Sequence, residues 1–265
     1  MKDLKDKRLF LFDIDGVIKL GDTLIDGALD LFRLIQAHHG KSVFITNNST
    51  KSNEAYVTYF RKLGFDVHAD NFITALSVTL AYLKKFHKND LLYVVGTSLM
   101  RQALQDNQLH ITTQCEDDVD VLLLGYDSEL TFDKVVDACK ILQTKDVTYL
   151  ATNMDLVCPA PFGFVPDCGA IANFIETATG KKPTFLGKPS PEIVRMAIAA
   201  SGFSPSQTVV VGDRLYTDIA CGINAGVATC AVLTGEIQEK DLQASDIKPT
   251  YVFRSVKEIY EFLNT

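Results

Sequence analysis

The chain has 265 residues, enough for one large domain or two modest ones with a buried core. A formal net charge of -7 without any basic run excludes a surface built to follow a nucleic-acid backbone. No apolar run reaches membrane-spanning length, and Met-Lys-Asp-Leu-Lys-Asp-Lys at the start lacks the apolar stretch of a signal peptide. Cys115, Cys139, Cys158, Cys168, Cys221 and Cys230 form no CxxC pair and no zinc-like spacing with His, so they read as small buried thiols of a reducing compartment. A cytoplasmic protein with no membrane and no nucleic-acid partner is expected.

Strand-like and helix-like segments alternate almost throughout, which predicts an α/β fold with a parallel sheet. Residues 8–12 read as a strand buried on both faces, followed at once by Asp13 and Asp15. A helix over 27–39 follows, stopped by Gly40, with His38 and His39 in its last turn as helix-end residues. Residues 41–46 form a second strand that runs into Thr46-Asn47-Asn48-Ser49-Thr50, and helices over 51–63 and 75–86 come next. From about 80 the pattern starts afresh: strands at 91–95, 119–124 and 147–151, helices at 98–105, 131–142 and 169–179. Pro159, Pro161, Gly163 and Pro166 predict an irregular loop over 158–167. A helix over 192–200 then precedes the strand 208–211, which ends in Gly212-Asp213, and a strand over 227–233, a short strand at 251–253 and a helix over 255–263 complete the chain. The expected organisation is a discontinuous core, 1–79 with 183–265, and an inserted α/β domain over 80–182.

Three strands of one sheet thus end in chemistry. Asp13 and Asp15 are two apart at a strand end, so both carboxylates can face one site, and like charges that close call for a cation or a shared proton. They can also simply make a turn or cap a helix. Thr46 and Asn47 offer donors to an anion, or an N-cap to the next helix. Lys188 sits on a Pro-flanked turn, where it is either a site cation or a solvated lysine. Asp213 stands at a strand end, and Asp218 falls in the next helical turn, where an ordinary N-terminal carboxylate is the alternative.

Asp13-Ile14-Asp15-Gly16-Val17, the strand-end Thr46, the isolated Lys188 and Gly212-Asp213-Arg214-Leu215-Tyr216-Thr217-Asp218, in that order, resemble the haloacid dehalogenase (HAD) superfamily of aspartate-nucleophile phosphatases. Val17 stands where many relatives have Thr. Ile45-Thr-Asn-Asn-Ser-Thr50, Ala151-Thr-Asn-Met-Asp155, Pro166-Asp-Cys-Gly-Ala-Ile171, Phe185-Leu-Gly-Lys-Pro-Ser-Pro191 and Val232-Leu-Thr-Gly235 are similar to the NagD-like branch, which carries a large cap between the second and third motifs.

The resemblance implies a Rossmann-like core with a C2-type cap and a Mg²⁺ ion held by Asp13, Asp213 and the backbone carbonyl of Asp15. Asp13 is the implied nucleophile, forming an aspartyl-phosphate, and Asp15 the general acid and base. Thr46 and the backbone at Asn47 would hold phosphate, Lys188 would offset charge, and Asp218 would orient Lys188 or a metal-bound water from outside the metal's ligand set. Substrate-selecting residues are expected in the cap at Asp167, Gly169 and Ala170, where small residues meet a helix N-terminus; Tyr126, Phe162 and Phe164 read as packing. The implied substrate is a small phosphate monoester: a sugar phosphate, nucleoside monophosphate or pyridoxal phosphate, with 4-nitrophenyl phosphate as a generic one. A homodimer through the cap is expected. Other readings on this scaffold are a phosphomutase, a dehalogenase (which has little need for Asp15) and a non-catalytic phosphate-ligand binding protein.

Overall fold

Leu9–Phe12, four consecutive fully buried residues, form the strand on which the first half of the structure is laid. Burying each such side chain is worth about 1.5–3 kcal/mol, which only a strand covered on both faces can collect. The computed structural model describes residues 2–48, 52–160 and 162–265; Ser49, Thr50 and Lys51 of the expected donor run and helix start, and Pro161, lie outside the described residues. Two compact units result: Met1–Thr46 with Ser52–Ile73 and Lys188–Thr265, and Asn47–Lys51 with Thr74–Gly187.

The first unit is built on a six-stranded sheet in the order Tyr251–Phe253, Ala228–Val232, Thr208–Gly212, Leu9–Phe12, Lys41–Thr46, Phe72–Thr74. Leu9–Phe12 pairs in parallel with Thr208–Val211 on one side and Lys41–Phe44 on the other. Parallel pairing continues outward from Thr208–Gly212 to Tyr251–Phe253. Aromatic rings fill one side of it: Phe44 lies 4.5 Å from Phe60 and 5.2 Å from Phe72, centroid to centroid. This is the Rossmann-like α/β layering expected, and it places the ends of Leu9–Phe12, Lys41–Thr46 and Thr208–Gly212 side by side.

The second unit has its own parallel sheet, ordered Thr184–Phe185, Thr148–Ala151, Val121–Leu124, Leu91–Val95, His110–Thr112. Alternate residues of its strands feed two separate cores. Leu122, Leu124, Tyr93 and Val95 pack with the helices Phe132–Thr144 and Cys168–Thr179. Val121, Leu123, Leu92 and Val94 pack with Met100, Leu104 and Leu83 on the opposite face.

Several local expectations change. Residues 158–167 are not an irregular loop: Val157–Ala160 and Gly163–Pro166 pair as an antiparallel ribbon. A two-stranded ribbon is all edge, so prolines sit in it where no N–H is needed. Phe162 and Phe164 do not pack; they are 82% and 66% exposed on this ribbon. The helix over 27–39 is Ala28–Ala37, and the left-handed residue that ends it is His39 (φ 57°) rather than Gly40. Gly40 is needed for closeness, since a Cβ there would lie 2.6 Å from the Arg8 carbonyl. Thr184–Phe185 pairs with Leu150–Ala151, within the second unit that runs to Gly187. Among the described residues no helix is long and apolar enough to cross a membrane.

The cysteines divide evenly. Cys168, Cys221 and Cys230 are buried, while Cys115, Cys139 and Cys158 are half-buried. Burial pushes the Cys168 and Cys221 thiols up to about 12, so neither offers a thiolate near neutrality. Alkylation of the folded protein is therefore expected at the three half-buried thiols first, with the buried three labelled only on unfolding. Equal labelling rates for Cys230 and Cys115 in the native protein would contradict this packing.

Candidate active site

Asp13 continues the central strand by one residue, its N–H donating to the Val211 carbonyl at 2.9 Å. It sits at the carboxyl end of a parallel sheet, where crevices form in open α/β folds. Asp213 follows Gly212 on the neighbouring strand. Beyond it, Leu215–Ile219 winds as a π-helical turn, a wide turn that recurs at functional sites. The turn brings Asp218 back against the strand so closely that a Cβ on Gly212 would lie 2.1 Å from the Asp218 Cβ.

Lys188 joins these acids. Its Nζ donates to Asp13 Oδ1 at 2.5 Å and to Asp218 Oδ1 at 2.7 Å, with the Ile45 carbonyl 3.4 Å away. Lys188 is 3% exposed, Asp13 9%, Asp213 4% and Asp218 0%. Burial works against the Lys188 ammonium, but the two carboxylates outweigh it and hold its pKa above the usual lysine value. The second oxygen of Asp218 accepts from the Arg214 N–H at 3.1 Å, so both its oxygens are engaged within the protein.

Asp213 is held differently. Its Oδ2 accepts from the Glu236 N–H at 2.8 Å, and its backbone carbonyl from the Ile237 N–H at 2.9 Å. The same loop ties down the Asp15–Gly16 turn, as the Thr234 hydroxyl donates to the Gly16 carbonyl at 2.5 Å. Gly16 (φ +84°) and Gly235 leave no room for side chains: Cβ atoms there would lie 2.3 Å and 1.9 Å from Asp213 Oδ2. Asp213 Oδ1, though buried, has no hydrogen-bond partner among the described residues. A buried bare carboxylate oxygen is costly, and burial with Asp218 nearby pushes this carboxyl up to about 7. Burial likewise pushes the Asp13 carboxyl up, against the pull of Lys188.

Carboxylate oxygens of Asp13, Asp213 and Asp218 lie within 4.8 Å of one another. Three acids against one ammonium leave two formal negative charges uncompensated. An all-oxygen set with one oxygen bare fits a hard divalent cation.

Asp13, Lys188, Asp213 and Asp218 therefore come together as one cluster, with Thr46 buried at the end of its own strand. The Asp15 side chain is not in it: it is half-exposed and ion-paired to Lys19 on the short hairpin Lys19–Leu20/Thr23–Leu24. Asn47 groups with the second unit, where its carbonyl accepts from Asn153 Nδ2 at 3.1 Å. Asp167 caps the helix Cys168–Thr179. Gly169 there makes room for protein, since a Cβ would lie 2.2 Å from the Met154 carbonyl, and Ala170 beside it is half-buried. Glu236 and Lys19 carry no site signal in the sequence, and Thr234 and Gly235 stand out only as part of the Val232-Leu-Thr-Gly235 motif straight after a strand.

Gly235→Ala is expected to fold yet lose at least about tenfold in divalent-cation affinity, measured as thermal stabilisation, because it displaces Asp213. Gly180→Ala, at a helix end with open space around it, should lower stability and leave that affinity unchanged. A proton and a cation compete for Asp213. Its raised pKa means that the cation-free protein loses stability as pH rises from the ordinary 3.8 through about 7. Stabilisation by cation should grow over the same interval, and an equal gain on both sides of it would contradict this site.

Residues 10–110 match the family described as haloacid dehalogenase-like hydrolase, and residues 185–259 match a second description, HAD-hydrolase-like. An acid sugar phosphatase of Staphylococcus epidermidis is 32% identical over 253 residues, covering 96% of each chain. The crystal structure of a 4-nitrophenylphosphatase from Thermotoga maritima superposes with a TM-score of 0.91 at 34% identity, covering 98% of this chain and 99% of that one. NagD from E. coli K-12 gives 0.86 at 29% identity, over 95% and 98%. With its strand-end acids, buried lysine and near-complete coverage by these relatives, the chain belongs to the haloacid dehalogenase-like hydrolases and is NagD-like within them.

Proposed function

We propose that this protein is a Mg²⁺-dependent phosphatase that hydrolyses small phosphate monoesters through an aspartyl-phosphate on Asp13. The observation that carries the reading is the buried Asp13–Lys188–Asp218 chain beside an Asp213 with one bare oxygen. Asp13 and Asp213, with the Asp15 carbonyl, would hold the metal, which supplies positive charge against the phosphoryl oxygens. Lys188 fixes Asp13 through Oδ1 and offsets part of the charge that would otherwise repel an anionic ester.

A carboxylate oxygen of Asp13 attacks phosphorus, the ester P–O bond breaks, and the leaving oxygen takes a proton from Asp15. Asp15 then removes a proton from water, whose oxygen attacks phosphorus and releases Asp13 and inorganic phosphate. Thr46 and the backbone at Asn47 are the proposed phosphate holders. Asp218, its oxygens already engaged by Lys188 and Arg214, is proposed to orient Lys188 rather than to ligate the metal.

Residues 1–79 and 183–265 are proposed as the catalytic core and 80–182 as a cap domain. Asp167, Gly169 and Ala170 are its candidate selectivity residues, and the cap is the proposed surface of a homodimer. The name of the relative acid sugar phosphatase supports a sugar phosphate as the substrate class, and that of the 4-nitrophenylphosphatase supports 4-nitrophenyl phosphate as a generic substrate; a cytoplasmic setting is proposed from the sequence alone. Nucleoside monophosphates and pyridoxal phosphate are the next to screen.

Phosphate release from 4-nitrophenyl phosphate should require Mg²⁺, stop with EDTA, and fall at least about a thousandfold in Asp13→Ala. Release that survives either change would overturn the mechanism. Return of the phosphoryl group to substrate without inorganic phosphate would mark a phosphomutase.

A further inference from the structure

The strand end that carries Asp213 and the loop that holds it are joined a second time, through side chains. Arg214 follows Asp213 directly, and Glu236 lies on the loop after the strand Ala228–Val232. Arg214 Nε lies 2.9 Å from Glu236 Oε2, with the arginine side chain 19% exposed and the glutamate 51%. The residues that follow these two, Leu215 and Ile237, are buried in one small apolar cluster with Ile219 and Ala231. An ion pair and a shared apolar cluster therefore fasten the same two segments.

An ion pair this exposed would ordinarily contribute little. This one differs in what its two main chains hold. The Glu236 N–H donates to Asp213 Oδ2 at 2.8 Å, and the Ile237 N–H to the Asp213 carbonyl at 2.9 Å. The Arg214 N–H donates to Asp218 Oδ2 at 3.1 Å, while Asp218 Oδ1 accepts from Lys188 at 2.7 Å. Each partner of the pair thus carries a backbone donor to one of the buried acids. Residues 233–238 lie in neither helix nor strand, so no ladder of hydrogen bonds fixes the Glu236 N–H in place. A positive charge one residue from a cation's ligand also works against that cation. Glu236 offsets it, which leaves the guanidinium free to act as a rigid, forked donor.

We propose that Arg214 and Glu236 are positioning residues for the cation: their ion pair clamps the 234–237 loop to the strand end, keeping Asp213 Oδ2 on the Glu236 N–H and Oδ1 left for the ion. The inference rests on the cation-dependent reading above and deepens it by naming the side chains that hold the metal site in shape.

Mg²⁺ binding to the cation-free protein, measured by titration calorimetry, tests the clamp in a double-mutant cycle. Arg214→Met and Glu236→Ala leave every backbone donor in place. Each should weaken Mg²⁺ binding about threefold to fivefold, and the double variant should bind no more weakly than either. The sign of the Arg214 effect discriminates. A pair acting only through charge would bind Mg²⁺ more tightly without Arg214 and more weakly without Glu236. Glu236→Gln drops the charge but keeps an oxygen for the Arg214 N–H, so it should stay within about twofold of the wild type. Melting in EDTA should be close to that of the wild type in all three single variants, since the clamp acts on the site and not on the fold. Opposite signs, additive losses, unchanged affinity in both single variants, or a Glu236→Gln that matches Glu236→Ala would each overturn the clamp. If the wild type takes up no Mg²⁺, the cation reading fails and the clamp with it; if it does, those outcomes remove the clamp alone.

Discussion

Three carboxylates and one ammonium lie buried together at the ends of two parallel strands, and most of the local structure answers to that charge problem. Buried ions are tolerated only when paired and hydrogen-bonded, and removing one partner of such a set costs more than the set contributes. Lys188 resolves part of it by bridging Asp13 and Asp218. What is left is centred on Asp213, whose buried Oδ1 has no hydrogen-bond partner among the described residues. The same imbalance makes the cation-free state costly, and it would repel any anion unless a cation offset it.

Precision comes from the backbone. Asp213 is fixed by N–H groups of the 234–237 loop on one side and by the absence of side chains at Gly16 and Gly235 on the other. Gly212 lets the π-helical turn fold Asp218 back onto the strand. Each of these glycines permits a close approach that any Cβ would forbid, so the geometry is built into the chain before any ligand binds. Preorganisation of this kind is what makes fixed charges effective.

Much of this was legible in the sequence because it is local. A strand buried on both faces followed by Asp-x-Asp, and a second one ending in Gly-Asp, place two acids without any knowledge of tertiary contacts. The bond from Lys188 to Asp13 spans 175 residues, and only the motif order gave it away. Features that depend on pairing across the fold stayed hidden. The ribbon at 157–166 was masked by its prolines, and its exposed Phe162 and Phe164 follow from a ribbon that leaves a face uncovered. Lys19 pairs with Asp15 because a two-residue hairpin strand turns it back, and no composition signal marks that. The close approach of the Met154 carbonyl to Gly169 is likewise a contact across the fold that no local pattern marks.

The proposed mechanism depends on where a cation binds. The most direct measurement is a crystal structure grown with MgCl₂, with anomalous scattering from Mn²⁺ as a check on ion identity. The account predicts an ion ligated by Asp13 and by Asp213 Oδ1, with Asp218 still bonded to Lys188. An ion held by Asp218 while Asp213 Oδ1 remains without a partner, or a cluster that stays empty at saturating Mg²⁺, would contradict it.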